Sequence, residues 1–290
     1  MDAGLIGASE AIVAVRRQVA RLADLPTTVL VLGETGTGKG LVARALHAAG
    51  VRRARPFVHV DCAGLPESLF ESELFGHERG AFTGAIATRV GRAEAAGEGT
   101  LFLDEVGELE PRLQAKLLRL LQERSFERVG GFALRPFRAR VVAATNLDLE
   151  AAAAAGGFRR DLLFRLDVAR LVLPPLRARR EDLPLLAEAL LERAAARLGL
   201  ARAPLDPAFL SRLAAHDWPG NVRELENALE RWLVDGECRC VPPREAERIA
   251  RTLEATGGNV ARAARRLGLA RSTLRDRIER HALGAQIPRD

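Results

Sequence analysis

Residues 33–40, GETGTGKG, combine closely spaced glycines with a single lysine, Lys39. Glycines let successive backbone N–H groups converge on phosphate oxygens, and a lysine in this place reaches the outer phosphates of a nucleotide. The apolar run TTVLVL precedes the stretch and a helical pattern follows it, as a phosphate-binding loop requires. An ordinary glycine turn is the alternative that this context disfavours. The predicted nucleotide-binding residues of the loop are Gly33, Glu34, Thr35, Gly36, Thr37, Gly38, Lys39 and Gly40.

Two acids, Asp104 and Glu105, follow the apolar run GTLFL. A strand that stays apolar until its end places both carboxylates at the carboxyl edge of a sheet, where open α/β sheets bind their ligands. Asp104 can hold Mg²⁺ through water, and Glu105 can orient and polarise an attacking water. Acids also end strands without any catalytic role. Beside a phosphate loop, however, we interpret this pair as catalytic.

The elements that must position these residues alternate in type. The stretches TTVLVL, PFVHVDC, GTLFLDEV and RARVVAATN read as strands, and helical patterns such as ELEPRLQAKLLRLLQER lie between them. This alternation predicts an α/β fold with a parallel sheet covered by helices on both faces. After LVLPPLRARREDLP the pattern is helical only. We expect a nucleotide-binding subdomain at 1–173, a helical lid at 174–236, a linker at 237–244 and a three-helix domain at 245–290.

Net charge and cysteine content indicate which kinds of partner and which compartment the sequence favours. The net charge is +6, and residues 244–290 carry eleven Arg against six Asp or Glu, which suggests nucleic-acid binding, although solvated helix faces also collect arginine. Of the 44 basic residues only Lys39 and Lys116 are lysine, so a lysine at the phosphate position supports a specific role. No secretory signal or membrane-length apolar run occurs. Three cysteines, Cys62, Cys238 and Cys240, are too few for a disulfide framework and fit a reducing cytoplasm.

A resemblance to a known family rests on seven stretches in order: GETGTGKG, ESELFGHERGAFTGA, GTLFLDEV, RVVAATN, FRRDLLFRLDV, LPPLRARREDLP and WPGNVRELENALER. They resemble the central domain of bacterial sigma-54-dependent transcriptional activators, which are AAA+ ATPases that remodel RNA polymerase at promoters. The resemblance runs from about Leu5 to Gly236, and GAFTGA is close to diagnostic. The stretch TGGNVARAARRLGLARSTLRDRI resembles a Fis-type helix-turn-helix. The resemblance implies an AAA+ P-loop fold with a helical lid and a C-terminal helix-turn-helix domain.

The resemblance also implies roles for individual residues. Asn146 would sense the γ-phosphate, and Arg223 would link the lid to the phosphates. Arg159 and Arg165 would be arginine fingers that reach the nucleotide of a neighbouring subunit, so activity would require a ring, in this family typically a hexamer. In so arginine-rich a chain, surface charges are the alternative, and Arg160 is a further candidate. The tip of a mobile loop that touches the sigma factor would be formed by Gly80, Ala81, Phe82, Thr83, Gly84 and Ala85.

Two positions depart from the family pattern. Gly40 stands where the family usually has glutamate and other phosphate loops have a magnesium-binding hydroxyl. Asp61 stands where relatives usually have an asparagine that restrains the catalytic glutamate, and its carboxylate would repel Glu105. Because Lys39, the two acids and the fingers remain, we expect ATP binding to survive and hydrolysis to survive with altered coupling.

The C-terminal segment has the pattern of a DNA reader. Gly268 is expected in the turn between two short helices, with Ser272 or Thr273 capping the second. Residues near the start of that helix would meet base edges and Arg277 would meet phosphate, whereas a basic surface that packs on the ring is the alternative. Fis-type modules usually act as dimers. The predicted DNA-binding residues are Arg271, Ser272, Thr273, Arg275 and Arg277.

Together these features predict a cytoplasmic sigma-54-dependent activator that binds upstream double-stranded DNA and uses ATP and Mg²⁺ to remodel sigma-54 RNA polymerase into the open complex. The chain begins a few residues before the ATPase pattern, so we expect no N-terminal regulatory domain unless the sequence is a fragment. The alternative is a nucleotide-binding, DNA-binding regulator with weak or no hydrolysis, and a remodeller of some other protein is a further rival. Membrane binding is not expected.

Overall fold

The computed structural model describes residues 4–64, 66–201, 205, 207–235, 249, 252–269 and 271–280. They fall into two compact units. The first joins Met1–Arg193 to Asp217–Asn227, and the second joins Ala194–His216 to Ala228–Asp290. The predicted linker at 237–244, with Cys238 and Cys240, lies outside the described residues.

A parallel sheet forms the centre of the first unit. Its strand order is β2 (Phe57–Asp61), β5 (Thr100–Asp104), β8 (Arg140–Thr145), β1 (Val29–Leu32) and β9 (Ala169–Val172). All neighbouring pairs run parallel, which confirms the predicted sheet and its four expected strands. The edge strand β9 was not expected, because alternate residues of it are exposed and its apolar run is short.

Helices cover both faces of this sheet. One apolar cluster includes Leu30, Leu101 and Val141, and the other includes Val31, Phe102 and Val142, so successive strand residues point into opposite clusters. The alternation along each strand therefore requires helices on both sides. The helices of this part are α1 (Glu10–Leu22), α2 (Lys39–Ala49), α3 (Glu67–Phe75), α4 (Arg92–Ala95), α5 (Pro111–Glu123), α6 (Leu149–Ala154) and α7 (Arg160–Leu166).

A buried arginine ties the first helix to the sheet. Arg140, at the start of β8, donates to the carbonyls of Leu22 and Ala23 at 2.8 and 2.7 Å. These carbonyls belong to the end of α1 and have no partner within the helix, and a cation there also meets the negative end of the helix dipole. At the other end of α1, Ser9 caps the helix by accepting the N–H of Ile12.

Two small hairpins interrupt the alternation. In the first, β3 (Gly76–His77) pairs with β4 (Arg89–Val90), and these strands flank the stretch that contains GAFTGA. In the second, β6 (Ser125–Phe126) pairs with β7 (Arg135–Pro136). Strands of two residues carry too little periodicity to be read from a sequence, so neither hairpin was predicted.

In the described residues after β9, the regular structure is helical, as predicted. Short 3₁₀ turns at Leu176–Ala178 and Arg180–Asp182 lead into α8 (Leu183–Leu198), which is followed by α9 (Pro207–Ala215) and α10 (Asn221–Asp235). Within the second unit, the rings of Phe209 and Trp232 stack at 4.6 Å.

Near the C-terminus two short helices contribute Ala264 and Leu274 to an apolar core that also includes Leu253 from the preceding segment. The helix Val260–Leu267 is capped by Asn259 and ends at Gly268, whose φ of 67° confirms the predicted turn. The expected cap at Ser272 or Thr273 is wrong, because the next helix begins at Arg271 and contains both residues. The preceding position, residue 270, lies outside the described residues. In the described part of the chain, no helix has the length and apolar content needed to cross a bilayer.

Candidate nucleotide site and neighbouring surfaces

The loop at residues 33–38 lies between β1 and α2 at the carboxyl end of the sheet. Gly36 and Gly38 have φ values of 80° and 104°, a region that favours glycine. The helix then begins at Lys39, so its N-terminal N–H groups face the loop. The Lys39 side chain is buried and its Nζ donates to the Gly33 carbonyl at 3.0 Å. The curled backbone, the lysine and the helix terminus together form a phosphate cradle.

Residues from separate strands meet at this cradle. Glu105 Oε1 lies 3.1 Å from Lys39 Nζ, and Glu105 Oε2 accepts the Asn146 backbone N–H at 3.1 Å. The Asn146 side-chain amide donates to Thr35 Oγ1, also at 3.1 Å. The predicted γ-phosphate sensor and the predicted catalytic glutamate therefore lie side by side against the loop.

Asp104 ends β5 and is half-buried. Its Oδ1 accepts the Glu105 N–H at 3.2 Å, and its Oδ2 lies 3.5 Å from His59 Nε2. Burial and the charge of Glu105 raise the pKa of Asp104, while His59 and Lys39 act in the opposite direction. The carboxylate is thus the polar end of an apolar strand, with two basic groups around it.

The two departures from the family pattern lie close to this carboxylate. Asp61 is the register partner of Asp104 on the adjacent strand, and its Oδ1 accepts the Ala63 N–H at 3.0 Å. Glu105, which we expected Asp61 to repel, is held by its contacts with Lys39 and Asn146. A Cβ added to Gly40 would meet its nearest atom, Cε1 of Phe102, at 3.8 Å, an ordinary contact distance. A side chain can therefore be added at position 40 without a clash at Cβ.

Residues from the segment after β9 and from the start of α10 bond to the phosphate loop. Arg177 donates to both carboxylate oxygens of Glu34, and Asn221 Nδ2 donates to Glu34 Oε2 at 3.1 Å. These bonds lower the pKa of Glu34 to about 2. The buried Arg179 donates to the Thr37 carbonyl at 3.3 Å. Sequence reasoning missed Arg177, Arg179 and Asn221 as site residues, although all three lie in stretches that carried the resemblance.

The first turn of α10 is also joined to the loop. The backbone N–H groups of Val222 and Arg223 donate to the Gly36 carbonyl at 3.0 and 3.3 Å. A Cβ on Gly36 would lie 2.2 Å from the Gly220 carbonyl oxygen, so only glycine permits this close approach. The backbone of Arg223 therefore lies beside the phosphate cradle, and the Arg223 side chain is exposed.

The two predicted arginine fingers lie on and beside α7. Arg159 forms an ion pair with Asp161 at 2.7 Å, and Arg165 donates to the Leu121 carbonyl at 3.2 Å. Two large apolar side chains near them, Phe164 and Val168, are exposed by 76% and 60%. These arginines are therefore accompanied by an apolar surface that the described part of the chain leaves uncovered.

The stretch GAFTGA forms a tight loop above the β3–β4 hairpin. Gly80 donates to the Ala85 carbonyl at 2.8 Å, and Ala85 donates to the Phe82 carbonyl at 3.0 Å. Gly80 and Gly84 both have positive φ. The ring of Phe82 is 43% exposed and its centroid lies 5.0 Å from that of His77, so the aromatic is held at the surface instead of entering the core.

An ion cluster joins this loop to the second hairpin. Arg128, itself mostly buried, contacts Glu78 at 3.1 Å and Glu94 at 2.9 Å, and Arg135 contacts Glu94 at 3.1 Å. A backbone bond from Glu78 to the Val129 carbonyl adds to the connection. At the end of the hairpin, Phe132 is 95% exposed. No periodic pattern in the sequence indicates this arrangement.

The predicted DNA-reading residues lie on one helix, Arg271–Arg280. The side chain of Arg271 is exposed, and those of Thr273 and Arg277 are partly exposed. Ser272 and Arg275 belong to the same helix, but their side chains lie outside what the structure describes.

The donor set of the cradle fits Mg²⁺ together with a nucleotide. Mg²⁺ takes oxygen ligands and is usually bound through one or two carboxylates, phosphate oxygens and water. Asp104 supplies such a carboxylate beside the loop, and the backbone N–H groups and Lys39 supply the complement to phosphate charge.

Comparisons with known proteins agree with this geometry. Residues 5–172 match the family model described as Sigma-54 interaction domain, residues 177–246 match an AAA+ ATPase lid domain, and residues 241–281 match Bacterial regulatory protein, Fis family. The chain is 45% identical to the transcriptional regulatory protein ZraR of Salmonella typhimurium, over 96% of this chain and 68% of that protein. It is 47% identical to the C4-dicarboxylate transport transcriptional regulatory protein DctD of Pseudomonas aeruginosa, over 98% and 65% respectively.

Solved structures show the same fold. NtrX from Brucella abortus in complex with ATP is 34% identical, with a TM-score of 0.76, and the alignment covers 96% of this chain and 69% of that one. Hsp104, at 19% identity and a TM-score of 0.60, supports the fold alone. The chain spans about two thirds of the length of ZraR and DctD. Because the sigma-54 interaction model matches more than half of the chain, the chain belongs to the family of sigma-54-dependent transcriptional activators, with an AAA+ ATPase domain, its lid and a Fis-type helix-turn-helix.

Proposed function

We propose that this protein binds DNA upstream of a promoter, assembles into a ring and uses ATP hydrolysis to drive sigma-54 RNA polymerase into the open complex. The observation that carries the proposal is the convergence of Lys39, Glu105 and Asn146 on one phosphate loop. The functional parts would be residues 1–173 for nucleotide and sigma factor, 174–236 as lid, 237–244 as linker and 245–290 for DNA.

The contacts of Glu105 suggest how hydrolysis would begin. Its ion pair with Lys39, at 3.1 Å, competes with nucleotide phosphates for the same ammonium group. When phosphates take the ammonium, Oε1 becomes available to orient a water, while the Asn146 N–H still holds Oε2. Mg²⁺ bound through water to Asp104 would neutralise charge that develops on the phosphates.

The arginine fingers give the reason for a ring. In a single chain, Arg159 pairs with Asp161 and Arg165 donates to a carbonyl of α5. Neither bond involves the phosphate cradle. The exposed Phe164 and Val168 beside them supply apolar area that a neighbouring subunit would cover. We therefore propose that the fingers act on the neighbour's nucleotide, in a hexamer.

The partner contacts follow from two surfaces. The loop 80–85 would carry the sigma factor contact, because it holds Phe82 at the surface between flexible glycines. The helix Arg271–Arg280 would read the major groove, as a dimer on paired half-sites. A cytoplasmic location follows from these proposed partners.

The test is steady-state ATP turnover as a function of protein concentration with Mg²⁺, combined with nucleotide binding at equilibrium. Lys39→Ala should abolish turnover and weaken nucleotide binding. The matched control is Lys116→Ala, which removes the other lysine of the chain, a half-exposed side chain on α5 paired with Glu71. We expect wild-type turnover per subunit to rise cooperatively with concentration, and Lys116→Ala to behave like the wild type.

Turnover that is independent of concentration would contradict the ring. Nucleotide binding without turnover at any concentration would contradict the ATP-driven motor, and rescue by Gly40→Glu would trace that failure to position 40. Binding of sigma-54 in the presence of an ATP transition-state analogue, lost in Phe82→Ala but not in Phe132→Ala, would support the assignment of the loop 80–85.

A further inference from the structure

His59 projects from β2 toward Asp104 across the neighbouring strand. The register pairs His59 with Phe102 and Asp61 with Asp104, so the imidazole reaches diagonally along the sheet to the carboxylate. Its Nε2 lies 3.5 Å from Asp104 Oδ2, and the His59 side chain is 45% exposed. The contact links two strands at the point where the cradle and the acids meet.

Aromatic packing holds the plane of this imidazole. The ring of His59 stacks on that of Phe102, with centroids 5.1 Å apart and planes 20° apart. Phe57, two residues earlier on the same strand, also stacks on Phe102 at 6.0 Å. Since Phe102 is buried, the histidine is supported from below by a side chain that cannot move freely. The imidazole is therefore oriented before any ligand binds.

Gly40 lies near the same Phe102 ring and has no side chain to place there. A Cβ at position 40 would lie 3.8 Å from Phe102, the ring on which His59 stacks. In a phosphate loop the residue after the lysine usually supplies a polar group to the metal site. Here position 40 supplies none, and the polar side chain next to the Phe102 ring is His59.

The other basic group near Asp104 is already engaged. Lys39 Nζ contacts Glu105 at 3.1 Å and the Gly33 carbonyl at 3.0 Å. Among the described residues, the side chain found at ion-pair distance from Asp104 is His59. An imidazole with its proton on Nε2 can donate to that carboxylate in either the neutral or the charged state.

We propose that His59 is a positioning residue that orients the Asp104 carboxylate for Mg²⁺ in the nucleotide complex, in the absence of a polar side chain at position 40. The inference rests on the proposed function, because it assumes that the cradle binds a nucleotide with Mg²⁺. Groups that orient a metal-binding carboxylate change metal affinity by roughly 10–100-fold when they are removed.

The experiment measures the equilibrium affinity of a fluorescent ADP analogue for the full chain, in EDTA and over a series of Mg²⁺ concentrations. His59→Phe keeps an aromatic ring that can stack on Phe102 but removes the nitrogen, and His59→Gln restores a side-chain donor. The matched control is His47→Phe, since His47 also contacts an aromatic ring, packing edge to face with Phe57, but bonds Thr100 at the amino end of β5. Thermal unfolding of each variant verifies that it is folded.

We expect His59→Phe to need about tenfold more Mg²⁺ for half of the metal-dependent gain in affinity, with unchanged affinity in EDTA. His59→Gln should recover part of this loss, and His47→Phe should match the wild type. An unchanged Mg²⁺ requirement in His59→Phe would overturn the inference alone. Equal weakening with and without Mg²⁺ would also overturn it, because His59 would then serve only the packing of β2. Failure of the wild type to bind nucleotide would overturn the proposed function as well.

Discussion

Glu105 combines an unfavourable backbone conformation with two side-chain contacts. Its φ of 51° lies in the left-handed region, which costs a residue with a Cβ about 1–2 kcal/mol. Such conformations persist where the surrounding structure holds them, and they cluster at functional sites. Here the cost is associated with directing the carboxylate to Lys39 and to the Asn146 N–H. The geometry favours a role for Glu105 in chemistry over one in capping the strand.

Glu105→Gln should separate binding from hydrolysis. The amide oxygen can still accept the Asn146 N–H, but it can no longer act as a base, so turnover should fall by about 10²–10⁴ while nucleotide binding is retained. Steady-state turnover and equilibrium binding measure the two effects. Glu108→Gln, at an exposed position three residues away, is the control and should match the wild type. Turnover within a factor of two of the wild type would contradict the assignment.

The phosphate loop is held between α2 and the first turn of α10. Gly36 allows the Gly220 carbonyl to approach, and its own carbonyl accepts two N–H groups from α10. Gly40 has no comparable constraint, because its φ is not positive and a Cβ would have ordinary contacts. The close approach of α10 therefore requires glycine at position 36, whereas position 40 has room for a side chain.

Alanine substitutions should consequently act in opposite directions. Gly36→Ala places a Cβ 2.2 Å from a carbonyl oxygen at a positive φ, so we expect the free energy of unfolding to fall by at least about 1–3 kcal/mol. Gly40→Ala, inside α2, should raise it by up to about 1 kcal/mol because alanine favours the helix. Chemical denaturation with and without nucleotide measures both. A stabilised Gly36→Ala would contradict the close approach of α10 to the loop.

In the molecule as a whole, the two arginines proposed as fingers bond to groups outside the phosphate cradle. The bonds of Arg159 and Arg165 go to Asp161 and Leu121. The ion pair of Arg159 is exposed, and exposed ion pairs contribute little to stability, so a neighbour's phosphate can replace it. Assembly would therefore create a site that one chain does not complete.

Mixing two inactive variants should reveal that shared site. Arg165→Ala should lose about 10³–10⁵-fold in turnover, the effect of removing an arginine finger, and Glu105→Gln is inactive for a different reason. In a mixed ring, the intact finger of a Glu105→Gln subunit can serve the intact cradle of an Arg165→Ala subunit. Turnover of the mixture should therefore exceed that of either variant alone.

Arg112→Ala, which removes an exposed arginine of α5, is the matched control and should retain turnover by itself. If the mixture of Arg165→Ala and Glu105→Gln showed no recovery while both proteins still assembled, the finger would not act between subunits.

Residue types and spacing alone predicted the loop around Lys39, the strands that end in candidate site residues and the helical pattern that follows them. Glycine spacing around Lys39 encodes a loop locally, because backbone freedom is a property of the residue itself. The apolar run before Asp104 likewise encodes a strand whose end must be polar. Both predictions were confirmed, since neither depends on which elements become neighbours.

Which distant groups meet at that edge depends on the packing of the whole domain. His59 reaches Asp104 because β2 and β5 are neighbours in one register, and a shift of one residue would turn the imidazole to the other face. Arg177 and Asn221 reach Glu34 because the chain returns to the loop after β9 and again at α10. Periodicity reports how a segment folds on its own, whereas these contacts depend on strand order and register, which no local pattern specifies.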